Sequence, residues 1–246
     1  RVVAEDTVFR IFSMTKPIVT AAAMTFFEEG RFQLDDPVTR FLPEFADTPV
    51  HVSGEGDAMI TEPVKEPIKI WQLMTHKTGA SFARRNDAVL ADVVRLVAGN
   101  PLHAQPGTSW EYSVATDVLG RLVEVLGGKP LDEILQERIF GPLGMVDTAF
   151  QVRTDQLPRF SALFNAKDGG TALHDPADQG SSWARPVTLF SGGGGLVSTV
   201  GDYLRFTEAM RRKGELEGAR ILGRRTVELM ALNHLPGNVD LTAMGQ

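Results

Sequence analysis

The chain has 246 residues, of which 43% are hydrophobic and 23% charged, with a formal net charge of -6 at pH 7. This is globular composition sized for one large domain or two small ones, and the acidic balance argues against non-specific nucleic-acid binding. Cysteine is absent, which excludes disulfides, thiolate catalysis and Cys-ligated zinc, and no apolar run is long enough to cross a bilayer. The chain starts at Arg1 with no initiator Met or signal peptide, so a missing natural N-terminus is expected and localisation stays open between cytoplasm and periplasm.

Residues 7–12 read as a short extended entry. Residues 13–29 follow helical spacing, with Ile18, Ala21, Ala22, Thr25 and Phe26 recurring at three and four. Ser13 is expected to cap that helix, Pro17 fits its first turn and Gly30 stops it. Leu34-Asp35-Asp36-Pro37 opens a second short helix limited by Pro43, the aspartates serving as cap and turn. Residues 47–67 mix Gly, Pro and charge without clear period and are expected to form an exposed loop. Helices are predicted over 68–76, ended by Gly79, and from about Asp87 to Ala98. Gln105-Pro106-Gly107 marks a turn. Further helices follow over 114–126, stopped by Gly127-Gly128, and over 131–139. Ser191 and the glycines 192–195 form a pliable segment leading into Leu196-Val197-Ser198, and helices close the chain near 201–212 and 224–232. Helix dominates, and convincing strands are few.

Ser13-Met14-Thr15-Lys16 places a hydroxyl and an amine one helical turn apart on one face. A serine hydroxyl needs a base to become a nucleophile. A lysine serves when burial or the positive end of a helix dipole favours its neutral form. The same helix end offers free N–H groups to an oxyanion. Alone the motif is weak. Ten Ser and seven Lys in this length produce it by chance in roughly one chain in three or four. Its bland alternative is a capping Ser followed by a solvated Lys.

The surrounding residues narrow the choice. Phe9-Arg10-Ile11-Phe12-Ser13-Met14-Thr15-Lys16-Pro17 resembles the active-site segment of the serine β-lactamase and penicillin-binding-protein superfamily. Within it, the chain is similar to the branch of class C β-lactamases, D-aminopeptidases and β-lactamase-like carboxylesterases. Further segments match in order: residues 29–38, residues 70–79, Pro106-Gly107-Thr108-Ser109-Trp110-Glu111-Tyr112-Ser113-Val114, residues 140–145 and residues 193–199. The resemblance covers nearly the whole chain. It implies an α+β fold of the β-lactamase/transpeptidase type, a helical region beside an antiparallel sheet. It also implies that Tyr112 faces Ser13 and Lys16, that a Tyr–Lys pair handles the proton, and that no cofactor is needed. Ser113, Val114, Gly193 and Gly194 are the positions expected to meet the substrate, a small-molecule ester or other acyl compound.

The departures carry information too. The family's β-lactamases and peptidases read Tyr-x-Asn, whereas here the third position is Val114. A valine cannot bind a substrate amide, which favours an ester. The third family motif, Lys-Thr-Gly or an equivalent, lies on a strand after the tyrosine. Lys77-Thr78-Gly79 has the letters but precedes Tyr112, and His234-Leu235-Pro236-Gly237 reads as a loop. The third motif and the sheet strands at both ends are therefore expected to be missing from residues 1–246, and with them part of the oxyanion hole.

Other features take bland readings. His51, His76, His103, His174 and His234 have no ligand spacing, so they are structural or surface residues and no metal site is expected. The glycines 192–195 lack the companions of a phosphate loop and are read as backbone approaching the active site closely. Trp110, Trp183 and Phe82 fit an apolar acyl pocket or the core equally well. The expected activity is ester hydrolysis through an acyl-enzyme on Ser13. A β-lactamase or D-amino-acid peptidase, and a non-catalytic acyl-binding sensor, are the alternatives. Neither nucleic acid nor a membrane span is expected, and the oligomeric state is not legible.

Overall fold

A computed structural model describes residues 2–78, 88–167, 169–240 and 242. Gly79, Phe82 and Asp87 lie outside these residues. The first element is a two-residue strand, β1 (Phe9–Arg10), followed by a 3-10 turn at Phe12–Met14. Helix α1 (Thr15–Glu28) then runs through the centre of the molecule. It is apolar almost all round, with Ile18, Val19, Ala21, Ala22, Ala23, Met24 and Phe26 all buried. That is the pattern of a helix enclosed by others. Pro17 sits in its first turn, where no helical hydrogen bond is lost. Gly30, at φ +69°, ends it in the left-handed region. Ser13 is not its cap. Met14 holds that position without a side-chain bond, because the Ser13 hydroxyl is engaged elsewhere.

Two 3-10 turns, Val38–Arg40 and Pro43–Phe45, stand where one short helix was expected. Asp36 accepts from the Gln33 N–H and from Arg40, each at 2.8 Å, as a turn-forming Asp does. The expected loop over 47–67 contains a hairpin of β2 (Val50–Ser53) and β3 (Ile60–Glu62). Only Val50 is buried, so the pair has no two-residue alternation to reveal it. Helix α2 (Ile70–Met74) ends at Thr75 and His76. Helix α3 (Leu90–Ala98) buries Leu90, Val93, Val94, Val97 and Ala98, a stripe at three and four. Helix α4 (Ala115–Gly127) is stopped by Gly128 at φ +66°. The helix expected over 131–139 is divided into α5 (Leu131–Leu135), a π turn over Gln136–Phe140, and α6 (Gly141–Leu143).

A second exposed hairpin, β4 (Leu163–Lys167) with β5 (Gly170–Asp175), also left no pattern in the sequence. After it come β6 (Val197–Ser198), α7 (Val200–Arg211), β7 (Glu215–Leu216), β8 (Ala219–Arg220) and α8 (Arg224–Met230). Thr199 caps α7 by accepting the Asp202 N–H at 3.2 Å. Among the described residues the sheets are four antiparallel pairs: β1 with β6, β2 with β3, β4 with β5, and β7 with β8. The architecture is helix-dominated α+β.

The main core packs α1 against α4 and α5. Gly127 makes that approach possible, since a Cβ there would lie 2.5 Å from Ile134 Cδ1 and 3.2 Å from Phe26 Cζ. A smaller cluster of Val8, Val152, Phe160 and Val197 underlies β1 and β6. Arg10 secures that corner. Its buried guanidinium donates to Asp175, to the Ser161 carbonyl at 2.6 Å and to the Pro176 carbonyl at 3.0 Å, and lies 4.1 Å from the Phe160 ring centroid. The strand leading to Ser13 is thereby fixed to the β5 hairpin.

Candidate active site

The turn before α1 presents Ser13 in a constrained way. Phe12 has φ +43°, a value that bulky residues rarely take. On one side, β1 pairs Arg10 with Val197. The Ile11 N–H donates to the Leu196 carbonyl at 3.0 Å, and the Leu196 N–H donates to Thr15 Oγ1 at 3.2 Å. Residues before and after Ser13 are therefore tied to the same segment, Leu196–Val197.

Three polar atoms converge here. Ser13 Oγ lies 2.5 Å from the Tyr112 phenolic oxygen, and Lys16 Nζ donates to Ser13 Oγ at 3.1 Å. Lys16 also donates to the Gly193 carbonyl at 2.6 Å, and its ammonium lies 4.6 Å from the Tyr112 ring centroid. Residues 99 positions apart in sequence thus form one hydrogen-bonded cluster. It faces solvent: Tyr112 is 43% and Phe12 44% exposed. Trp183 meets the Phe12 ring edge-on at 5.8 Å, and Trp110 lies 6.5 Å from the Tyr112 ring. Beside Lys16, a cavity of about 300 Å³ follows α1 past Thr20 to Met24, with Leu34, Trp71, Met74 and Met230 in its walls.

His76 belongs to this cluster, although no spacing singled it out. Its carbonyl accepts the Glu111 N–H at 2.9 Å and its Nδ1 accepts the Ser113 N–H at 3.2 Å. The residues on both sides of Tyr112 are thus held by one histidine. Its ring also stacks on the phenol, 4.8 Å between centroids at 24°. The left-handed φ of +55° at His76 makes this double engagement possible. Burial, and secondarily the charge of Lys16, hold its pKa down to about 4. The imidazole is therefore neutral at pH 7, and the bond to Ser113 assigns its proton to Nε2. Only contact across distant segments reveals this role.

The linkage has a direction. Unfolding returns His76 to a pKa near 6.5, so between that value and about 4 the unfolded chain binds a proton that the folded chain refuses. Stability contributed here is complete above pH 6.5 and is lost as pH falls toward 4. Melting curves across pH 4–7 should show this slope, and His76→Gln should flatten it. An unchanged slope in the variant would assign the acid sensitivity elsewhere.

The structure places the other residues singled out in the sequence as follows. Ser113 and Val114 were expected to touch substrate, but they are only 2% and 1% exposed. Ser113 Oγ accepts the Ala115 N–H at 3.2 Å, and Val114 packs into the main core at the start of α4. Gly193 reaches the cluster through its carbonyl, while its N–H donates to Asp117 Oδ1 at 3.1 Å. Gly194 lies against the Phe12 backbone, where a Cβ would be 3.5 Å from the Phe12 carbonyl carbon. Lys77 and Thr78 are each 1% exposed in the turn after α2, away from any open surface. Burial lowers the Lys77 pKa. Among the described residues no group of His, Cys, Asp or Glu is placed to hold a metal, and no helix is long and apolar enough to cross a membrane.

The Beta-lactamase family profile matches residues 1–245, and the chain belongs to that family. Protein Rv1367c of Mycobacterium tuberculosis is 36% identical over 247 residues, covering 94% of this chain and 60% of its own length. Esterase EstB of Burkholderia gladioli is 32% identical over 246 residues, covering 86% of this chain and 59% of its own. The solved structure of EstCE1, a hydrolase with promiscuous acyltransferase activity, superposes with a TM-score of 0.78 at 28% identity, over 98% of this chain and 66% of that one. The chain therefore has the β-lactamase/transpeptidase-like fold. It spans about 60% of the length of the curated relatives it matches.

Proposed function

We propose that this protein is a serine hydrolase cleaving esters of small acyl groups through a covalent acyl-enzyme on Ser13. The observation that carries the reading is the meeting of Tyr112 and Lys16 at one oxygen, Ser13 Oγ, at 2.5 and 3.1 Å. These are hydrogen-bond distances of the kind a nucleophile and its proton-handling partners require. In the first step the Tyr112–Lys16 pair takes the Ser13 proton while Oγ bonds to the ester carbonyl carbon. The Ser13 backbone N–H serves as one donor to the resulting oxyanion. Collapse breaks the bond to the alcohol oxygen, which leaves with the proton held by the pair. Water then attacks the acyl-enzyme by the same proton transfers in reverse and releases the acid. No metal or cofactor takes part in this scheme.

The ester preference rests on two supports. The third position of the tyrosine motif is Val114, which carries no amide for a peptide-like substrate. Relatives such as EstB carry esterase in their names. The aromatic surround and the cavity of about 300 Å³ along α1 suit a small acyl group.

Hydrolysis of p-nitrophenyl butyrate should far exceed that of nitrocefin, a chromogenic β-lactam. Rapid nitrocefin turnover would overturn the ester preference. A stoichiometric burst of p-nitrophenol with no turnover would replace the hydrolase by an acylated sensor.

A further inference from the structure

We infer that Asp117 is a positioning residue for Lys16, acting through the backbone of Gly193. The inference rests on the roles given above to Ser13 and Lys16. Asp117 is 4% exposed in the first turn of α4 and does not touch Lys16 in any hydrogen bond described here. Its Oδ1 accepts from two groups of the glycine segment, Ser191 Oγ at 2.6 Å and the Gly193 N–H at 3.1 Å. A buried carboxylate is costly unless such donors satisfy it. An acidic residue in a helix's first turn is also favoured by the helix dipole, but that effect would not require partners on another segment.

The chain of contacts continues to the nucleophile. With its N–H turned to Asp117, Gly193 directs its carbonyl to Lys16 Nζ at 2.6 Å, and Lys16 reaches Ser13 Oγ at 3.1 Å. Lys16 has four flexible carbons, so its amine needs an external reference point. The Gly193 carbonyl supplies it, and Asp117 holds that carbonyl in place. The charge on Asp117 also polarises the intervening peptide groups toward the amine.

The glycines are the condition for this contact. A Cβ on Gly193 would lie 2.6 Å from Asp117 Oδ2, and one on Gly192 would lie 2.5 Å from the Thr116 carbonyl oxygen. Only bare backbone lies this close to the start of α4. The glycine run is thus explained by α4 on one side and Lys16 on the other. It need not act as an anion cradle.

Asp117→Ala removes the acceptor of both bonds to the glycine segment. It should lower kcat for p-nitrophenyl butyrate about 100-fold, the scale of a catalytic group misplaced by about an ångström, while leaving KM little changed. The pH profile of Ser13 labelling by a fluorophosphonate should shift with it. Ser191→Ala removes one of the two bonds to Oδ1 and should give a smaller loss of the same kind. It also carries the test if Asp117→Ala fails to fold. A lowered melting temperature with wild-type kcat and wild-type pH profile, in whichever variant folds, would overturn the inference and make Asp117 a structural tie. Ser13→Ala separates the two levels. Labelling that survives in that variant sinks the nucleophile assignment itself, whatever Asp117 does.

Discussion

Ser13→Ala is expected to lower ester turnover by about ten-thousand-fold or more, while the protein keeps its melting temperature within a few degrees. The hydroxyl makes no capping bond and lies at an open site, so its loss removes a reactive atom from a surface without breaking the core. The variant should still bind substrate, because the substitution removes a single hydroxyl from an open site. Intact-mass analysis with a slowly released acyl ester should show one added acyl group on the wild type and none on the variant. Wild-type turnover in Ser13→Ala would remove the chemical basis of the proposed function.

The second large effect is expected at Tyr112. Tyr112→Phe deletes one oxygen and preserves the ring stacked on His76. Loss of a general acid–base group should lower kcat by about 100- to 10,000-fold. Lys16→Met should fall in the same range. The two residues handle one proton as a unit, so the double variant should be scarcely slower than the worse single variant. Effects that instead multiply would mean independent roles. Melting should change little in Tyr112→Phe, because the removed oxygen lies on an exposed residue.

The sequence disclosed these elements unevenly. α1 was legible because Ile18, Ala22 and Phe26 repeat at helical spacing between a Pro that helices accept early and a Gly that ends them. α3 and α4 were legible for the same reason, since each buries one face. The two hairpins were not, because strands exposed on both faces leave no alternation. The split after Leu135 was hidden because the apolar positions continue across the π turn. Ser13, Lys16 and Tyr112 were singled out by motif, and the fold brings all three within hydrogen-bonding range. Ser113 and Val114, expected to meet substrate, are buried, and proximity in sequence to Tyr112 says nothing of which side faces the core. His76 and Asp117 act through backbone groups of distant segments, a relation that residue spacing cannot encode.

The left-handed Phe12 has a consequence for how this protein can change. A non-glycine residue in that conformation costs about 1–2 kcal/mol, and the cost falls immediately before the candidate nucleophile. Phe12→Gly would remove that cost and also the ring facing Trp183. A selection for thermostability alone would therefore draw mutations toward this turn, and a selection for activity would resist them. Laboratory evolution under each pressure should leave opposite marks at position 12.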